Sequence, residues 1–343
     1  MVDARWNWLP LMLLPALALA APEPEQEPVL KQFKEWVVGC DNTRRCTAVS
    51  RSVDQGVGLE LVREAGAEGS TALTLFTDAS VDLGARLLID GGPAPAGFRP
   101  GSQGQMGYHA KGDVAVRLLR QLRNGQTLSL DTTNDQHPVS LQGLSASLLF
   151  IDSVQGRIGH PSAFVNPGTR PDSQLPPAPP TPTLAPFTPA PGVSDGEQKA
   201  IADAVIAITR HEWSEPEYDN WQAEAEVSAL DATHVLVGLR YGCAAQGCMY
   251  SYYRALRTAP YQPTSLHISV PKHDVLGGEM YGFFKFDPAR GELTQLQPGG
   301  RYCGANATWR YDGAVMQLKS FSRMSWCDSV DTAHWPQIWR TKG

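Results

Sequence analysis

The chain has 343 residues, with 29 Lys plus Arg against 35 Asp plus Glu, a net charge of -6 and an isoelectric point near 5.8. That length gives room for about two domains, and 42% hydrophobic with 19% charged residues excludes both a disordered chain and a polytopic membrane protein. The acidic balance argues against nucleic-acid binding, which calls for a basic face, while 32 glycines and 27 prolines favour turn-rich β structure.

Leu9 to Ala21 is uncharged and too short to span a bilayer as a helix. It suits the apolar stretch of a secretory signal peptide, and Ala18-Leu19-Ala20 supplies the small-x-small cleavage site, so residues 1–20 are expected to be removed. Pro10 and Pro15 argue against a buried helix there. Val37-Val38-Gly39-Cys40 imitates a lipid-attachment box, but about twenty polar and charged residues separate it from the apolar stretch. The expectation is a periplasmic or secreted protein with no membrane insertion after cleavage.

Six cysteines in an exported chain read as three disulfides. If bridges stay within domains, Cys40 pairs with Cys46, and three pairings remain among Cys243, Cys248, Cys303 and Cys327. The local pair Cys243–Cys248, with Cys303–Cys327, is favoured.

Strand-like runs follow at 33–38, 46–51, 59–63, 72–76, 86–89 and 127–130, with period-two alternation clearest in Thr127-Leu-Ser-Leu-Asp131. Helices are expected at 113–123, where Leu118, Leu119 and Leu122 share a face, and at 144–155. The expected N-terminal unit, 21–165, is an antiparallel α+β domain.

Residues 166–193 are proline-rich and favour polyproline II, which predicts a semi-rigid linker. In the second unit, 194–343, Ser194-Asp-Gly-Glu197 has capping-box spacing and opens a helix burying Ile201, Val205 and Ile208. Strands are expected at 234–241, 249–254, 283–286, 293–296, 308–311 and 315–321, with Asp312-Gly313 as a two-residue hairpin turn. This half reads as a β-meander with one leading helix, so the fold class is α+β.

Two stretches carry a resemblance. Phe33-Lys-Glu-Trp-Val-Val-Gly-Cys-Asp-Asn-Thr-Arg-Arg-Cys-Thr-Ala48 resembles the hallmark of a bacterial exported family, domain of unknown function 1176. Phe150-Ile-Asp-Ser-Val-Gln-Gly-Arg-Ile-Gly159, Thr169-Arg-Pro171, Tyr302-Cys-Gly304, Trp309-Arg-Tyr-Asp-Gly313, Cys327 and Trp335-Pro-Gln-Ile-Trp-Arg340 are similar to the same family. Ser140-Leu-Gln-Gly-Leu144 is distantly similar to the invasion-associated locus B proteins. The chain departs from the family pattern at Gly242–Cys248, where it has two cysteines in place of one. The resemblance implies an envelope location and a two-part build, and it implies no reaction.

Catalytic signatures are thin. Paired cysteines leave no thiolate nucleophile, and there is no Gly-x-Ser-x-Gly; Gly101-Ser-Gln-Gly104 reads as a loop. His211-Glu-Trp-Ser-Glu215 lacks the second histidine of a zinc protease, and His267 with His273 is weak as a ligand pair. Asp131-Thr-Thr-Asn-Asp135 lacks the Gly and terminal Glu of a calcium loop. No catalytic, metal or cofactor-binding residue is assigned.

Two features stand out. Glu212, Glu215, Glu217, Asp219, Glu224 and Glu226 form an acidic run interleaved with Trp213, Tyr218 and Trp221. Six of nine Trp and nine of ten Tyr lie in the C-terminal half, where Tyr250 and Tyr252 share one strand face. Tyr250, Tyr252, Trp213, Tyr218 and Trp221 are the candidate binding surface, for an envelope protein or a glycan; the competing readings are a sandwich core for the tyrosines and a solvated surface loop for the acidic run. The expected function is binding or inhibitor-type. The alternative is a hydrolase of envelope glycans using Glu212 with Glu215 or Asp219.

Overall fold

The computed structural model describes residues 28–52, 57–77, 86–94, 97–101, 107–131, 138–214, 222–268, 280–299, 303–327 and 330–343. The expected signal peptide, Thr132–Asp135, Ser102–Gly104 and His273 lie outside them.

In the N-terminal half the chain runs β1 (Val29–Phe33), β2 (Trp36–Cys40), β3 (Cys46–Ser50), β4 (Val57–Arg63), β5 (Thr71–Thr77), β6 (Arg86–Ile89), β7 (Gly92–Pro93), β8 (Arg99–Pro100), β9 (Tyr108–Lys111), α1 (Gly112–Leu122), β10 (Thr127–Asp131), β11 (Val139–Ser140) and α2 (Leu144–Val154). These strands form a seven-stranded antiparallel sheet, β1-β2-β3-β4-β5-β9-β8, and a four-stranded one, β11-β10-β6-β7. The single strand expected at 33–38 is in fact a hairpin. The polar pair Lys34-Glu35 turns the chain, with Lys34 at φ 49°, and sets Phe33 opposite Trp36.

Every residue of β2 and β3 is buried, because the first sheet is covered on both faces. Trp36, Val38, Cys40 and Ala48 join Leu59, Leu61, Leu73 and the helix residues Leu118, Leu122, Leu148 and Ile151 in the main core. Val37, Val49 and Phe76 point the other way and pack against Met324, Val330 and Trp335 of the C-terminal half.

The C-terminal half holds α3 (Asp195–Trp213), β12 (Glu224–Ala229), β13 (His234–Ala244), β14 (Gly247–Leu256), β15 (Thr264–Ser265), β16 (Tyr281–Asp287), β17 (Glu292–Pro298), β18 (Gly304–Tyr311), β19 (Met316–Met324) and β20 (Gln337–Arg340). The capping box forms as expected, with Ser194 Oγ accepting from Glu197 N and the Glu197 carboxylate accepting from Ser194 N. The strands follow the meander order β12-β13-β14-β16-β17-β18-β19-β20, with β15 on β14. The expected two-residue turn at Asp312-Gly313 is longer: Asp312 Oδ1 accepts from Ala314 N and Val315 N, and β19 begins at Met316.

On one side β14 pairs β13. On the other it meets β16 through Cys248↔Gly282 and Met249↔Tyr281, and β15 through Tyr253↔Ser265 and Arg254↔Thr264. A bridge between Ile268 and Met316 returns to β19, so these strands close a ring around Leu293, Ala307, Trp309, Leu318 and Phe321. The β14–β16 crossing is tight. A Cβ on Gly247 would stand 2.5 Å from Gly282 Cα, so no larger residue fits there.

The proline-rich segment is extended, as its composition requires, but it is not a free spacer. Leu175 is buried, Thr183 bridges Lys342, and Leu184 N donates to Lys342 O (3.0 Å) while Lys342 N donates to Pro182 O (2.8 Å). Phe187 lies against Gly291 in the β16–β17 turn. The segment is a strap whose first part, with a short 3-10 turn at Asp172–Gln174, packs on the N-terminal half, where Asp172 Oδ1 accepts from Ser162 Oγ (2.8 Å) and Pro176 lies against Gly156, and whose second part runs along the C-terminal half.

Among the described residues the architecture is mostly antiparallel sheet with three α-helices, an α+β protein.

Candidate functional site

All six cysteines are paired, as Cys40–Cys46, Cys243–Cys248 and Cys303–Cys327. The aromatic surface expected from the sequence is only partly a surface. Trp213 is 5% exposed: it packs with Ile201, Val205 and Tyr241 between α3 and the sheet, and its Nε1 donates to Thr209 Oγ1. Tyr252 is 7% exposed and belongs to the ring core. Both were candidates for a surface and both are inside, Tyr252 as the core reading of the tyrosines has it, because at these positions α3 covers one side of β13 and β14 and the ring core the other. Tyr218 and Trp221 lie outside the described residues, as do Glu215, Glu217 and Asp219. Glu212 accepts from Tyr253 Oη (3.1 Å), and burial pushes that phenol up to about 12.

Tyr250 is the member that remains half-exposed. Its ring stacks on Tyr252 at 5.9 Å, and Phe284 leans on both, at 4.7 and 5.7 Å. Gly238 makes this stack possible. A Cβ there would come 2.8 Å from the Tyr252 ring, so the missing side chain leaves the space in which the ring lies.

The register brings the two sequence features together. Glu224 pairs with Arg240 and Arg240 with Tyr250; Glu226 pairs with Gly238 and Gly238 with Tyr252. Two residues of the acidic run therefore share one sheet face with the tyrosines. Glu224 is ion-paired to Arg240. Burial raises the Tyr250 hydroxyl above the usual phenol range, against the pull of Arg240 and with a push from Glu226. Burial, the neighbouring Tyr250 and Glu226 do the same more strongly at Tyr252. Both phenols are neutral and can donate a hydrogen bond.

Chemically the face offers two carboxylates, one guanidinium, a phenol and a stackable ring. Sequence reasoning missed Arg240, Gly238 and Phe284. The signal that finds them is register arithmetic across the Cys243–Cys248 hairpin, which sets Arg240 opposite Tyr250 once the bulge between Tyr241 and Ala244 is counted. Among the described residues no three His, Cys, Asp or Glu side chains gather as a metal site.

A second constellation joins the two halves. Asp41, buried at the tip of the Cys40–Cys46 hairpin, accepts on Oδ1 from Thr43 N, Thr43 Oγ1 and Arg45 N. Arg340 of β20 reaches this tip. Its Nε lies 2.9 Å from both Asp41 Oδ2 and Thr43 Oγ1, and its Nη2 lies 2.9 Å from Glu64 Oε2. Asn42 completes the clamp by accepting from Arg340 N and donating to Arg340 O.

A buried knot sits behind it. Asp152 accepts from Arg63, Phe164 N and Val165 N; Gln155 donates to Arg44 O and Arg63 O; Arg157 donates to Gln155 Oε1, Ser162 Oγ and Gly66 O. Cys40-Asp-Asn, Asp152–Arg157 and Trp335–Arg340 are thus joints that hold the molecule together.

The profile of the proteins of unknown function DUF1176 matches residues 30–342. The chain belongs to this family. A relative within reach of sequence comparison is the uncharacterized protein YpfG of Escherichia coli (strain K12), 26% identical over 329 residues, covering 92% of this chain and 94% of that protein. The alignment therefore embraces both halves and the strap between them, as one unit. No solved structure shows a significant match to the chain.

Proposed function

We propose that the protein is exported to the periplasm, or secreted, after removal of residues 1–20, and acts there as a binding or inhibitor-type module of the cell envelope. Its ligand is an envelope protein or a cell-wall glycan. Three disulfides using every cysteine support the oxidising compartment, and among the described residues no helix is long and apolar enough to cross a membrane. The distant likeness of Ser140–Leu144 to the exported invasion-associated locus B proteins belongs to this reading. The observation that carries it is the meeting of Glu224, Glu226, Arg240 and half-exposed Tyr250 on one face, brought together by the register of the successive strands β12–β14.

Hydrolysis is the weaker reading. Glu224 is 72% exposed and tied to Arg240, so nothing shields it for acid catalysis. The pair first considered, Glu212 with Glu215 or Asp219, has only Glu212 among the described residues, engaged with Tyr253.

The test is capture of ligand from the protein's own envelope extract by the mature chain and by a Tyr250→Ala, Glu226→Gln variant. Capture should fall by about tenfold, equal to about 1.4 kcal/mol, with unchanged circular dichroism. Equal capture by a folded variant would remove this face from the function.

A further inference from the structure

We propose that the open edge of β12 takes up an extended, basic segment of a partner protein as an added strand. The proposal rests on the reading of the β12–β14 face as a contact surface and names what contacts it.

β12 ends its sheet. One side of its backbone is laddered to β13 from Glu224↔Arg240 to Ala229↔Val235, and among the described residues no strand pairs with the other side. Unpaired edge amides and carbonyls are a template for another strand unless the fold blunts them. At the opposite end of the same sheet the chain just past β20 is bridged by the strap, through the Lys342 hydrogen bonds to Pro182 and Leu184. Among the described residues the strap bridges the chain at one end of the sheet, and no strand lies beside β12 at the other.

The side chains of β12 state what an added strand must carry. Glu224 and Glu226 are exposed on the tyrosine face, while Ala225 and Val227 pack under α3. Across the row stand two carboxylates and one guanidinium, Arg240, already paired to Glu224, which leaves one negative charge in excess. The next cation on the face, Arg254, is engaged with His234 at 3.2 Å. Cross-strand neighbours in a sheet stand about 5 Å apart, so alternate residues of the incoming strand meet Glu224 and Glu226 directly. Lysine or arginine at those positions is attracted; aspartate or glutamate is repelled. The intervening positions meet Ala225 and Val227 and call for small or β-branched apolar residues. The same two carboxylates keep like copies of this edge apart, so the charges reject an identical strand and select a basic one.

The probe is a fluorescein-labelled peptide of alternating lysine and valine, with an alternating glutamate and valine peptide as control. Anisotropy gives affinity, and amide hydrogen exchange on the full mature chain locates the contact. The lysine peptide should bind saturably, protect amides of β12 and leave those of β1, an end strand of the seven-stranded sheet, unchanged. Glu224→Gln with Glu226→Gln should weaken it by about tenfold, as should high salt, with the melting temperature unchanged. Binding that is indifferent to these substitutions, equal binding of the glutamate peptide, or protection elsewhere than β12 would overturn strand addition. So would capture of a neutral glycan at Tyr250 without β12 protection. If envelope capture persists while β12 stays unprotected, the added strand fails and the contact face stands; if capture is lost as well, both fail.

Discussion

Arg340 ties the last strand to the tip of the Cys40–Cys46 hairpin. Asp41 is fully buried, and burial raises its carboxyl above the ordinary value of 3.8, against the pull of Thr43 and Arg340. The Arg340 Nε–H is hydrogen-bonded to Thr43 Oγ1, so its 2.9 Å approach to Asp41 Oδ2 is an electrostatic contact, and that oxygen has no hydrogen-bond donor. Removing the guanidinium leaves a buried carboxylate without its counter-charge, a change that costs about 3 kcal/mol. Arg340→Met should therefore lower stability by about that amount in urea titration, and adding Asp41→Asn should recover most of it, because the neutral amide keeps the Oδ1 acceptor and carries no charge. A group whose folded pKa is raised stabilises most below its unfolded value and loses that contribution as pH rises through the folded one. The deficit of Arg340→Met should then be largest at neutral pH and shrink as pH falls toward 3.8. A deficit independent of pH, or a double variant as unstable as the single, would remove the charge coupling.

At the scale of elements the strap shows how far composition reaches. Its prolines dictate an extended chain with few ladder bonds, and that was legible in the sequence. What pins it was not: the contacts of Leu175, Thr183 and Phe187 are made to residues more than a hundred positions away or by a single buried side chain, and no local pattern announces them. The strap should resist thermolysin at Thr183–Leu184 and Pro186–Phe187 until the whole molecule unfolds. Phe187→Ala, which removes the ring from Gly291, should hasten cleavage by about tenfold, equal to about 1.4 kcal/mol of local stability. Rapid cutting of the unmodified chain would return the segment to a free linker. The helices, the capping box at Ser194–Glu197 and most strands could be read from periodicity because each is a local signal. The Lys34-Glu35 turn was missed because Phe33 and the apolar run Trp36-Val-Val38 read together as one strand across two polar residues. The tyrosine row left core and surface open for a related reason. Alternation assigns Tyr250 and Tyr252 to one face, but only the closing of the ring through Ile268↔Met316 decides that the face is core at Tyr252 and half-open at Tyr250.

The whole molecule is divided by its sheets but not by its core. Val37, Val49 and Phe76 share one cluster with Met324, Val330 and Trp335, and His334 stacks on Phe76 at 4.0 Å while its Nδ1 stands 3.1 Å from Glu60. Every residue of Trp36–Cys40 and Cys46–Ser50 is buried, whereas a sheet with one wet face alternates. Two tethered modules would melt separately, each with its own enthalpy. Halves that share a desolvated cluster and the Arg340 clamp lose stability together when either opens, which couples their unfolding into one step. Calorimetry of the oxidised, mature chain should accordingly give a single endotherm. Trp335→Ala empties the centre of the shared cluster at a cost of about 3–5 kcal/mol, and combined with Arg340→Met it should split that endotherm in two, because the N-terminal core around Leu59 and Leu148 and the ring around Trp309 and Phe321 are each left intact. Two transitions in the unmodified protein would mean that the shared cluster and the clamp are too weak to couple the halves, and the β12–β14 face would then belong to an independently folding module.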